Sequence, residues 1–135
     1  MQKSNDQWKQ ELSPEAFHVL REKGTEAPFS GTYVTYDADG IYTCAGCGTE
    51  LFSSSRKFDA HCGWPSFDDV ASSGAVKTTD DFEFGMHRIE VTCASCGGHL
   101  GHIFNDGPQT LPNGASGTGD RYCINSVALN FKPKE

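Results

Sequence analysis

A chain of 135 residues, 36% hydrophobic and 21% charged, is long enough to bury a core and lies outside the compositions of disordered or fibrous proteins. Its formal net charge of −7 and the lack of a Lys/Arg cluster argue against nucleic acid as a partner, because counterion release needs a basic face. No apolar run approaches the ~20 residues of a membrane span, and the polar N-terminus lacks the apolar stretch of a signal peptide. The expectation is a cytoplasmic protein with no membrane partner.

The chain reads as one domain over residues 1–135, with a helical lead-in over 1–30 and a β core over 31–132. In the lead-in, Ser13-Pro14-Glu15 is a helix start: a capping hydroxyl, Pro at the first helical position and an acid in the first turn. Phe17 and Leu20 give that helix an apolar stripe, and Gly24 and Pro28 stop it. From residue 32 the pattern turns to short runs rich in β-branched and aromatic residues, at 32–36, 41–44, 50–53, 75–79, 88–93 and 122–131. Asp39-Gly40 between two of them is a hairpin signal. In the last run a period of two puts Cys123, Asn125, Val127, Leu129 and Phe131 on one face. Pro65-Ser66-Phe67-Asp68 is able to open a helical turn, and 107–119 is a Gly/Pro-rich loop. These elements predict a mainly β fold of small antiparallel sheets packed together, with short N-terminal helices.

One internal repeat stands out. Thr43-Cys44-Ala45-Gly46-Cys47-Gly48-Thr49-Glu50-Leu51 matches Thr92-Cys93-Ala94-Ser95-Cys96-Gly97-Gly98-His99-Leu100 at Thr, Cys, Ala, Cys, Gly and Leu. A Cys-x-x-Cys turn points two thiolates at one ion, and the Gly after it permits a left-handed residue. Two such turns supply Cys44, Cys47, Cys93 and Cys96, a set that suits one tetrahedral structural Zn²⁺ with no open position for chemistry. Either pair alone is also compatible with a redox dithiol or an iron–sulfur ligand, though neither sits in a βαβ context.

Of the six cysteines, Cys62 and Cys123 remain. Small buried hydrophobe and reactive thiol are both open readings for them. Arg121, two residues before Cys123, suits a thiolate partner or a solvated edge charge. His99 and His102 are proton donors by type, or ordinary hydrogen-bonded sheet histidines. Their odd offset would point them to opposite faces of a regular strand, so sharing a pocket requires Gly98 or Gly101 to break it, for example at a bulge. Trp64, in a Gly-Trp-Pro loop, is a core aromatic or a pocket wall.

Several motifs in one order are similar to the B-type methionine-R-sulfoxide reductase family. They are Lys57-Phe58-Asp59, Cys62-Gly63-Trp64-Pro65-Ser66-Phe67, Gly85-Met86-His87-Arg88-Ile89-Glu90-Val91, His99-Leu100-Gly101-His102-Ile103-Phe104, Asp106-Gly107-Pro108 and Arg121-Tyr122-Cys123-Ile124-Asn125-Ser126. With both Cys-x-x-Cys turns, the likeness covers roughly residues 7–132.

The resemblance implies a β-tent-like fold, one structural Zn²⁺ and thiol chemistry that needs no bound flavin or nicotinamide. It assigns Cys123 as nucleophile, Cys62 as resolving cysteine, and Trp64 as the aromatic against the substrate methyl. His99, His102 and Asn125 correspond to polar groups around the sulfoxide, and Arg121 and Asp106 to charged members of the same site. It also implies oxidised proteins as substrates and thioredoxin as reductant. A longer loop over 109–120, and Asn105 where many relatives have Pro, are the departures from the family pattern. The rival readings are a zinc-ribbon binding module without catalysis and another thiol enzyme such as a peroxidase.

Overall fold

The computed structural model describes residues 4–27, 31, 33, 38–58, 63–72, 74–82 and 85–133. Two serines open its helices. Ser4 caps α1 (Asn5–Glu11) in a reciprocal box: its hydroxyl accepts from the Gln7 N–H, and the Gln7 side chain accepts from the Ser4 N–H. Ser13 caps α2 (Pro14–Glu22), with Pro14 at the first helical position as expected. α2 buries Ala16, Val19 and Leu20. The helix ends one residue before the expected stop: Lys23 takes the left-handed conformation at φ 58°, and the Gly24 N–H donates to the His18 carbonyl at 2.9 Å.

The strands are β1 (Gly40–Cys44), β2 (Glu50–Ser53), β3 (Lys57–Phe58), β4 (Ser66–Phe67), β5 (Val76–Asp81), β6 (Arg88–Cys93), β7 (His99–Phe104), β8 (Arg121–Ile124) and β9 (Leu129–Pro133). They form a three-stranded sheet in the order β2-β1-β9 and a six-stranded sheet in the order β3-β4-β8-β7-β6-β5, with antiparallel pairing throughout. Aromatic contacts join the two. Phe52 of β2 stacks on Phe67 of β4 with centroids 4.5 Å apart, and Tyr42 of β1 meets Phe67 edge-on at 5.2 Å. All three are fully buried, a contribution of roughly 1.5–3 kcal/mol each from transfer out of water. The mainly β architecture of two small antiparallel sheets and short helices agrees with the sequence reading.

Three local readings differ. Residues 122–131 do not form one strand: β8 belongs to the larger sheet and β9 to the smaller, so the chain crosses between them in a 3₁₀ turn, Ser126–Ala128. The turn breaks the alternation expected from Cys123 to Phe131. Ser66 and Phe67 are strand, not helix, because β4 fills the space between β3 and β8. Both edges of β1 are taken by β2 and β9, so no hairpin from Asp39-Gly40 runs along it. The strand expected at 32–36 lies outside the described residues apart from Tyr33, which is in a turn. Among the described residues no helix is long and apolar enough to cross a membrane.

Candidate active site

Strands β7 and β8 lie side by side in the larger sheet, with His102 opposite Cys123 and Phe104 opposite Arg121. On its other side Cys123 is opposite Ser66 of β4. Close approach of β7 to β8 depends on Gly101, where a Cβ would stand 2.0 Å from the Cys123 carbonyl oxygen. Against β6, the pairs Val91–Gly101 and Thr92–His99 leave Leu100 as an extra residue in β7. That bulge resolves the parity difficulty. His99 and His102 turn to the same side and meet edge-on, with ring centroids 5.5 Å apart.

A cavity of about 270 Å³ opens over this strand pair, lined by Thr25, Trp64, Arg88, Gly101, His102, Phe104, Arg121, Cys123 and Asn125. Cys123 is half-buried. Arg121 makes a paired contact with Asp106, Nε to Oδ1 at 2.8 Å and Nη2 to Oδ2 at 3.3 Å, while its guanidinium lies 4.4 Å above the Phe104 ring. The Arg121 hydrogen bond holds the Asp106 carboxyl below its ordinary range. Trp64 is fixed edge-on by its indole N–H, which donates to the Glu26 carbonyl at 3.1 Å. Asn125 donates from Nδ2 and from its backbone N–H to the Leu100 carbonyl, both at 2.9 Å, so the bulge also orients the amide.

Of the residues singled out in the sequence, Trp64, His102, Arg121, Cys123 and Asn125 line the cavity. Buried His99 packs against His102, and exposed Asp106 reaches the site through Arg121. Cys62 lies outside the described residues.

The two Cys-x-x-Cys turns have the same geometry. In each, the N–H of the following glycine donates to the first cysteine's carbonyl at 2.8 Å, Gly48 to Cys44 and Gly97 to Cys93. Both glycines are left-handed, at φ 80° and 76°. The turns bring the Sγ atoms of Cys44, Cys47, Cys93 and Cys96 within 4.8 Å of one another, a set that can hold a metal ion. Contacts cross between the turns, Cys44 to Cys96 at 3.7 Å and Cys47 to Cys93 at 3.5 Å. Hydrogen bonding to Cys93 and Cys96, together with burial, pushes the Cys44 thiol up. Four thiolates this close need a cation among them, so the donor set fits a soft, tetrahedral metal.

A SelR domain matches residues 12–133. The chain belongs to the SelR domain family. It is 55% identical, over all of its own length and 90% of the relative, to "Peptide methionine sulfoxide reductase MsrB" of Methanosarcina barkeri. It is 53% identical to the protein of the same name from Chromohalobacter salexigens, over 100% of this chain and 97% of that one. "Methionine-R-sulfoxide reductase B3, mitochondrial" of Mus musculus is 51% identical over 98% of this chain and 49% of its own.

Behind the cavity of this SelR domain lies a layer of charge to which the motifs gave no role. His102 Nε2 is 2.8 Å from Oδ2 of buried Asp81 on β5, and His99 Nδ1 is 2.8 Å from Glu90 Oε2 on β6. A carboxylate only accepts, so the contacts assign the proton to Nε2 of His102 and to Nδ1 of His99. Burial lowers the pKa of His99 from 6.5, against the opposing pull of Glu90. Glu26 is the other hub. Besides holding Trp64, its N–H donates to the Asn125 Oδ1 at 2.9 Å and its Oε1 accepts from the Val127 N–H at 2.9 Å. The available signals were weak: Glu90 alternates with Ile89 and Val91 on a strand, and Glu26 follows the Gly24-Thr25 pair.

Proposed function

We propose that this SelR-domain protein reduces methionine-R-sulfoxide in oxidised proteins to methionine, with Cys123 as the nucleophile. What carries this reading is the cross-strand pair of Cys123 and His102 on one cavity wall, with Trp64, Asn125 and Arg121 around it. The names of the relatives support the reaction, and the mouse relative's name supports the R epimer.

The chemistry follows from the geometry. A sulfoxide sulfur is electrophilic, but its oxygen leaves poorly unless protonated. Cys123 attacks the sulfur as thiolate, with the Arg121 cation on the same strand favouring that form. His102 donates a proton to the oxygen. Since its Nε2–H is committed to Asp81, the donated proton comes from Nδ1 of the imidazolium. Asn125 adds a polar contact for the oxygen, and Trp64 gives the S-methyl group an apolar face that selects one epimer. His99 packs on His102 and fixes its ring. Asp106 holds Arg121 over Phe104.

Oxygen passes from substrate sulfur to Cys123, leaving methionine and a sulfenic acid. Cys62 attacks that sulfur, water leaves, and a Cys62–Cys123 disulfide forms. Thioredoxin then returns both thiols by exchange, in the reducing cytoplasm. Cys44, Cys47, Cys93 and Cys96 would hold one Zn²⁺ as a structural cross-link with no open position for chemistry.

Single turnover of the reduced protein with a blocked methionine sulfoxide, in the absence of reductant, tests the scheme. We expect one methionine per chain, two thiols lost, and a peptide map joining Cys62 to Cys123. Cys62→Ser should still release one methionine but lose thioredoxin-driven turnover. Full thioredoxin-driven turnover in that variant contradicts Cys62 as the sole resolver.

A further inference from the structure

We infer that Lys23 is a positioning residue for both site histidines, acting through a shared clamp on Asp81 and Glu90. This assignment rests on the reaction proposed above and names a residue that the motifs do not include.

The clamp is built from four elements. Lys23 at the end of α2 places its Nζ 3.4 Å from Asp81 Oδ1 and 3.6 Å from Glu90 Oε1. Asp81 gives its other oxygen to His102, and Glu90 gives its other oxygen to His99, each at 2.8 Å. One ammonium therefore ties together the two carboxylates that hold the two imidazoles. Arg88 on β6 adds a second cation, with Nη2 3.6 Å from Asp81 Oδ2. With both histidines neutral, the two acids balance Lys23 and Arg88. Asp81 and Glu90 are largely buried, with side chains 1% and 15% exposed, where paired charge is far less screened than at the surface.

The backbone supports the same assignment. Lys23 is the one left-handed non-glycine residue among those described. For a residue with a Cβ that conformation costs on the order of 1 kcal/mol, and Gly is the usual occupant of this position after a helix. A glycine stands next in the chain, yet lysine takes the turn. The left-handed turn aims Lys23 at Asp81 and Glu90, and the chain then runs into Thr25 on the cavity wall and Glu26 under Trp64 and Asn125.

Without the Lys23 charge, both carboxylates lose the cation they share, while Arg88 stays against Asp81. Two consequences follow. The carboxylates separate, loosening both imidazoles from their assigned tautomers, and the loss of the Lys23 cation favours a second proton on His99. Groups that orient metal-ligating histidines in this way are worth ~10–100-fold in activity, and a loss of the same order is expected here.

Lys23→Gly is the decisive variant, because it removes the charge while supplying the residue best suited to the left-handed turn. Lys23→Met removes the charge and keeps the stem, and Lys23→Arg keeps the charge. Long-range ¹H–¹⁵N spectra of the imidazoles read the clamp directly, whether or not the protein turns over sulfoxide. Wild type should show His99 protonated at Nδ1 and His102 at Nε2. In Lys23→Gly and Lys23→Met, at an unchanged or higher urea midpoint for the glycine variant, those signatures should average, and the doubly protonated form of His99 should persist to higher pH. kcat should fall ~10–100-fold with KM little changed, and Lys23→Arg should recover most of the loss. Wild-type spectra and kcat in both charge-removing variants would overturn the assignment. Wild-type protein with the expected tautomers but no sulfoxide turnover would instead contradict the proposed reaction.

Discussion

His102 and Cys123 are register partners across β7 and β8, and the one-residue bulge at Leu100 brings His99 to the same side behind them. The proposed nucleophile and proton donor are thus held by a backbone ladder and not by a loop. Strand placement of this kind gives the small positional errors that proton transfer and in-line attack require.

Gly101 sets how closely that ladder closes. A Cβ there would meet the Cys123 carbonyl oxygen at 2.0 Å and its carbon at 3.0 Å, both backbone atoms that cannot swing aside. Gly101→Ala should push β8 away from β7, lower stability by about 1–3 kcal/mol, and reduce kcat/KM by about 100-fold. Urea unfolding and steady-state assays check both. An alanine variant with wild-type stability and rate would show that the contact is not needed.

The cysteine cluster makes a separate prediction about stability. Purified protein should carry one zinc per chain, and Cys44→Ser should lose it with a fall in thermal midpoint of at least ~10 °C. Elemental analysis and calorimetry read the two together. Metal-free wild-type protein melting at the same temperature as the loaded form would contradict a structural role.

Buried His99 gives the fold a pH dependence whose sign is fixed by its lowered pKa. Between the folded value and the ordinary 6.5, the unfolded chain binds the extra proton, so stability rises with pH there. This contribution is complete above about 6.5 and is lost as pH falls from 6.5 toward the folded value, with a slope of at most ~1.4 kcal/mol per pH unit. His99→Asn keeps a donor for Glu90 but cannot titrate. Its urea midpoint should fall less than that of wild type between pH 7.5 and pH 5.5. Equal falls would mean that His99 does not carry the effect.

Legibility in the sequence followed the range of the interaction. The paired Cys-x-x-Cys turns are readable because spacing within each turn dictates its geometry, and the second knuckle repeats the hydrogen bonds of the first. Ser13-Pro14 is readable for the same local reason, whereas α1 rests on the weaker Ser4–Gln7 box. The break at Ser126–Ala128 was hidden because Cys123 to Phe131 alternate well enough for one strand; the need to change sheets decides otherwise. Parity at His99 and His102 demanded a bulge, and the structure puts it at Leu100, between the two glycines considered. Asp81 and Lys23 were invisible, and Glu90 stood in the 85–91 motif without a role, since each is an ordinary charged residue until α2, β5 and β6 bring them together.

The most direct test of the central claim is turnover of the separated R and S epimers of a blocked methionine sulfoxide, with dithiothreitol as reductant, by wild type and Cys123→Ser. The account predicts that wild type reduces the R epimer alone and that the serine variant, folded and metal-loaded, reduces neither. Reduction of the R epimer by the serine variant, or no turnover of either epimer by folded wild type, would contradict it.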